Sequence, residues 1–146
     1  MSESFQAITL YVHAASTLAM TGLIWFVQVV HYPLMGRVGE QGYTAYQDAH
    51  MRRTTWVVGP LMLAEMSTAA LLIFTLGPQA YPLTITGIVM LVLIWGSTAG
   101  LQVPAHNRML DGFDASAHRR LVGTNWVRTL LWSARGVMAC VLIATN

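Results

Sequence analysis

The chain has no lysine, a single cysteine and few charges of either sign. Its 146 residues include eight basic side chains, all of them arginine, and six acidic ones, so only 10% are charged. A soluble domain of this size carries about a quarter charged residues. Here 55% of the residues are hydrophobic and the mean hydropathy is +0.52, so the medium around most of the chain is expected to be lipid. The net charge of +2 is too small for a nucleic-acid partner. Cys140 has no second thiol to pair with and reads as a small packing residue. The absence of lysine admits two explanations: a use for arginine's planar set of donors, or simply GC-rich codons. The first residues lack a basic stretch, and no small-residue cleavage pattern follows them, so the first apolar run is expected to remain as a helix. Strands are not expected, because long apolar runs in lipid satisfy their own backbone groups as helices. No internal repeat or low-complexity segment is present.

The apolar runs predict one all-α domain over residues 1–146, a bundle of four transmembrane helices running up-down-up-down. Spans of about 20 to 25 residues account for nearly the whole length. The first is expected over 7–32, ended by Pro33, with Gly36, Gly39 and Gly42 marking a loop. A more polar helix starting near Tyr43 leads into the second span, 54–76, which Pro60 should kink and Gly77-Pro78 should stop. The third covers 83–103, with Pro104 near its end and helix resuming to Leu110. After a turn at Gly112-Phe113-Asp114, Asp114 or Ser116 caps a last helix whose span is 121–144. Arg37, Arg52 and Arg53 flank the first loop and Arg108, Arg119 and Arg120 the third, whereas the loop over 76–82 carries no charge. By the positive-inside rule the arginine-rich end is cytoplasmic. The expected location is a bacterial-type inner (plasma) membrane, with both termini periplasmic or extracellular.

At 3.6 residues per turn, polar residues fall into stripes. His13, Thr17, Thr21, Gln28 and His31 share one face of the first span, and Trp95, Ala99, Gln102 and His106 one face of the third. Asn125, Arg128, Trp132 and Arg135 align on the fourth; His50, Arg53, Val57, Leu61 and Thr68 align on the second, with Glu65 somewhat to the side. Polar stripes in lipid face the bundle interior. The expected pocket, near the arginine-rich end, is lined by Gln28, His31, His50, Arg53, Gln102, His106, Asn125 and Arg128.

Three histidines from three helices, His31, His50 and His106, make candidate ligands for iron, copper or zinc with open positions, or two of them for a b-type haem. Gln28 and Gln102 are candidates to hold their second ring nitrogens. The alternative is that interfacial histidines simply bond headgroups or loop carbonyls; no two of the three share a helix. Glu65, roughly 20 Å along the helix from Arg52, needs a partner in lipid. Arg135 is the natural one, as a structural clamp in preference to one end of a proton path extended by His13. His118 reads as a solvated loop residue. The tryptophans read as interface anchors, with an aromatic wall around a substrate as the other possibility.

Asn107-Arg108-Met109-Leu110, Arg119-Arg120-Leu121 and Asn125-Trp126-Val127-Arg128-Thr129, with a small-residue-rich last span, resemble the anthrone-oxygenase-like family over the last third of the chain. Val122 stands where family members often carry tryptophan. The resemblance implies a small four-helix membrane protein, with Asn125 and Arg128 as site or network residues. It also implies oxidation of a polyketide-like ring without a tightly bound organic cofactor.

The expected function is a membrane-embedded, oxygenase-like oxidoreductase acting on a lipophilic or quinone-like small molecule that enters from lipid. His31, His50 and His106 would hold a metal or act as bases. Arg53 and Arg128 would stabilise an enolate or phenolate oxygen, with Asn125, Gln28 and Gln102 orienting substrate or ligands. The alternative is a non-enzymatic haem- or metal-binding protein, or a small transporter or scaffold subunit. Gly22, Gly87, Gly96 and Gly100 suit close helix contacts and a homo-oligomer.

Overall fold

The computed structural model describes residues 2–146. Four long helices make up the fold: α1 (Glu3–Met35), α2 (Glu40–Thr75), α3 (Pro78–Arg108) and α4 (Ala115–Thr145), each long and apolar enough to cross a membrane. No strand occurs among the described residues. The helices extend beyond the apolar spans that the sequence marks, at both ends of α1, α3 and α4 and at the start of α2, because polar turns continue the same backbone hydrogen bonding. The connections are correspondingly short.

Two prolines expected to end or interrupt helices do not. α1 continues through Pro33 to Met35, and α3 through Pro104 to Arg108. Each proline is preceded by one π-helical stretch, Val27–His31 and Thr98–Gln102. There the N–H of Tyr32 bonds the Val27 carbonyl and that of Val103 bonds Thr98, five residues back. A proline ring collides with the carbonyl four residues before it and has no N–H to offer. Widening the turn by one residue accommodates both defects and rotates everything beyond it. α2 runs unbroken through Pro60.

The turn between α3 and α4 uses Gly112 at φ 142°, a backbone region that favours glycine. Asp114 then caps α4, accepting from the amides of Ser116 at 2.8 Å and Ala117 at 2.9 Å. These bonds favour the ionised carboxylate, and they hold Asp114 below its ordinary value. His118 departs from the expectation of a solvated loop residue. It lies in the first turns of α4, its Nε2 is 2.7 Å from the Tyr32 carbonyl, and its ring would stand 3.0 Å from a Cβ at Gly36. It supplies the partner that the proline-disturbed end of α1 lacks.

The interior holds one large apolar cluster, including Met20, Ile24, Leu91, Ile94, Leu121 and Trp132, and a smaller one around Leu10, Leu72, Leu76, Ala80 and Leu142. Large apolar side chains also cover the outside, among them Trp56 and Phe74, each 78% exposed. Apolar groups on both sides of the helices fit a multi-pass protein in contact with lipid.

Candidate functional site

The buried polar residues fall into two groups. The first surrounds Glu65, which is completely buried on α2. Its Oε1 accepts from Arg135 Nε at 2.9 Å and from Thr17 at 2.9 Å, and its Oε2 accepts from Trp132 Nε1 at 3.0 Å. Arg135 also donates through Nη1 to the Gly87 carbonyl. His13 Nδ1 lies 3.0 Å from the Thr68 hydroxyl, one turn along α2 from Glu65. The void beside this group, about 10 Å³, has room for one water at most. The expected Glu65–Arg135 pair is present, with three of the four helices contributing side chains and α3 contributing the Gly87 carbonyl.

The second group borders a cavity of about 340 Å³ between α2 and α3, within the range of small-molecule sites. Its apolar walls include Val58, Met62 and Leu63 of α2 and Trp95 and Val103 of α3. Leu63, Trp95 and Val103 are also exposed on the outer surface, so the cavity opens toward lipid. Tyr32, His50, Thr54, Thr98, His106 and Arg128 bring polar atoms to it. Arg128 is 8% exposed and has no carboxylate: the ion pairs among the described residues are Arg135–Glu65 and the surface pair Arg52–Asp48. Its guanidinium lies 5.6 Å from the Trp132 ring centroid, Nη1 donates to Thr98 at 3.3 Å, and Nε has no partner. A larger hollow, about 420 Å³, adjoins the chain ends, but its polar residues, Glu3, Gln6 and Asn146, are not buried and do not converge.

Of the expected pocket residues, His50, Gln102, His106 and Arg128 border the cavity. Asn125 and Gln28 lie outside its lining: Asn125 Nδ2 donates to Gln28 Oε1 at 2.8 Å, and Gln28 Nε2 to the Val122 carbonyl at 3.2 Å, cross-linking α1 to α4. Neither glutamine bonds a histidine. Gln102 accepts from Ser97 at 3.0 Å and donates to Thr124 at 3.1 Å. Arg53 is exposed and does not line the cavity. The buried face of α2 centres on Glu65, and at 3.6 residues per turn Arg53 points about 120° away from it.

The three histidines lie in series across three helices. His31 Nε2 and His50 Nδ1 share a hydrogen bond at 2.9 Å, and the His50 and His106 ring centroids are 5.1 Å apart. His50 Nδ1 also lies 3.1 Å from the Thr54 hydroxyl. His106 is bonded at both nitrogens, Nδ1 to Gln47 Nε2 at 3.0 Å and Nε2 to the Tyr32 hydroxyl at 3.1 Å. No group of three or more His, Cys, Asp or Glu placed to hold a metal occurs among the described residues.

Tyr32 and Gln47 are site residues that the stripes missed. The stripe on α1 was projected at a constant angle, and the widened turn at Val27–His31 puts Tyr32, not His31, fully inside. On α3, Thr98 borders the cavity and Ala99 does not. Gln47 lies one turn before His50 on α2, and a face centred on Glu65 would have included it. Of the expected close-packing glycines, Gly87 meets Arg135, whereas Gly22, Gly96 and Gly100 have nothing near them. Comparison with models of known families, with curated proteins and with solved structures finds no match.

Proposed function

We propose that this chain is a membrane-embedded oxidoreductase acting on a lipophilic, ketone-, phenol- or quinone-like small molecule taken from the bilayer into the cavity between α2 and α3. The observation that carries this is Arg128, a buried cation with no acidic partner bordering an apolar, lipid-open cavity. A guanidinium so placed stabilises an enolate or phenolate oxygen better than water does. His50 is the group suited to take the proton, since its Nε2 makes no hydrogen bond within the protein. Dioxygen would accept the electrons of the resulting anion, in keeping with the anthrone-oxygenase resemblance. The arginine-rich end is assigned to the cytoplasm, with alternating helices and both termini on the far side, on the distribution of arginines.

The run of His31, His50 and His106 keeps a metal-dependent version open, in which those nitrogens would exchange their present hydrogen bonds for a metal ion or haem. The alternative to an enzyme, a carrier, transporter or scaffold subunit, takes its support from the Glu65–Arg135 group, which needs no substrate to explain it.

The test is oxygen uptake by the detergent-purified protein with anthrones and naphthols, with elemental analysis and an absorption spectrum of the wild type and His106→Ala. Substrate-dependent uptake that falls at least a hundredfold in Arg128→Met is expected. A metal or Soret band lost in His106→Ala would establish the metal-dependent version. Absence of uptake with every substrate would leave the carrier or scaffold alternative.

A further inference from the structure

The two nitrogens of His106 have partners of different kinds, and the difference fixes where its proton sits. Gln47 Nε2 lies 3.0 Å from His106 Nδ1 and 3.0 Å from the carbonyl oxygen of the same residue. A carbonyl only accepts, so Gln47 presents its NH₂ group; the flipped amide would set two oxygens against each other. The same NH₂ then donates to Nδ1, which leaves Nδ1 without a proton and puts the ring hydrogen on Nε2. That N–H points at the Tyr32 oxygen, 3.1 Å away, which therefore accepts.

Tyr32 is 4% exposed and borders the cavity. With its oxygen accepting from His106, its own hydrogen remains to be donated. Arg128 borders the same cavity as a cation with no carboxylate partner. The oxygens on the adjoining wall already accept, Thr98 from Arg128 Nη1 at 3.3 Å and Gln102 from Ser97 at 3.0 Å. A hydroxyl with its hydrogen undonated and an unpaired cation favour a ligand that supplies an oxygen acceptor and disfavour a cationic one, even with His50 Nε2 open on the α2 wall.

We propose that the cavity selects ligands by an oxygen acceptor, a quinone or ketone carbonyl or a carboxylate, bound by the Tyr32 hydroxyl and Arg128, and that Gln47 sets this polarity through His106. The selection rests on the cavity being the binding site proposed above. Tyr32 touches the ligand; Gln47 and His106 are positioning residues.

Equilibrium binding to the whole protein in nanodiscs, with 1,4-naphthoquinone, 1-naphthoate and 1-naphthylmethylammonium as probes, tests it. Naphthoquinone and naphthoate should bind at least tenfold more tightly than the ammonium. Tyr32→Phe should weaken naphthoquinone about tenfold. Nitrogen NMR of labelled His106 should find the proton on Nε2, and Gln47→Glu should move it to Nδ1 and weaken naphthoquinone as Tyr32→Phe does. Equal binding of the three probes, unchanged naphthoquinone binding in Tyr32→Phe, or a wild-type proton on Nδ1 would overturn the selection and leave the cavity a binding site. If no probe binds, the selection and the site fall together.

Discussion

Two arginines on one face of α4, two turns apart, are buried to nearly the same degree and treated in opposite ways. Arg135 meets Glu65 at 2.9 Å, in a region sealed by Thr17, Trp132 and the Gly87 carbonyl. Arg128 has no carboxylate, only neutral partners in Thr98, the Tyr32 hydroxyl and the face of Trp132, and borders a cavity of about 340 Å³. Trp132 serves both, donating to Glu65 with its ring nitrogen and stacking its ring on Arg128. A charge neutralised inside the protein holds helices together. On the proposed function, a charge left without a counter-ion beside an open cavity is held ready for a ligand. The pair teaches that burial alone does not separate a structural from a functional arginine; the partner does.

The comparison breaks most visibly at Glu65. Glu65→Gln leaves Arg135 an uncompensated buried cation and should lower stability by about 3 kcal/mol or more, read by thermal unfolding in detergent. Arg128→Met removes a charge that has no partner to strand. Its melting temperature should stay level or rise while ligand binding or activity falls about a hundredfold; a large loss of stability instead would make Arg128 structural. Gly87→Ala puts a methyl 3.2 Å from Arg135 Nη1 and should cost about 1 to 2 kcal/mol. Arg53→Ala, at an exposed position, should change stability by less than about 0.5 kcal/mol and leave ligand affinity unchanged. The smallest effect is at Asp114. Its depressed ionisation means that its cap is fully effective above the unfolded carboxylate value and is lost as pH falls through the lower folded one. Amide exchange at Ser116 and Ala117 should therefore quicken only in strong acid.

How far the site was legible depended on the regularity of each helix. On α4, which has no proline, the projected stripe of Asn125, Arg128, Trp132 and Arg135 is buried throughout. On α1 the projection holds up to the π-helical turn and slips by one residue across it, which hides Tyr32; on α3 Gln102 and His106 are buried as projected, while Trp95 is exposed and Thr98 lies off the stripe. On α2 the helix is regular, but a stripe drawn to include Arg53 was centred on the wrong residue. Glu65 and Arg135 could be paired in advance because lipid leaves an isolated charge so few partners.

The sequence by itself determined four apolar helices, their approximate limits and the Glu65–Arg135 pair. Those follow from hydropathy and from the cost of unpaired charge in lipid, which act residue by residue. Tertiary structure decided that His106 is held by Gln47 and Tyr32, that Asn125 bonds Gln28, and that Arg128 rather than Arg53 borders the cavity. Those depend on the rotation of each helix against its neighbours, and one widened turn before a proline is enough to change it.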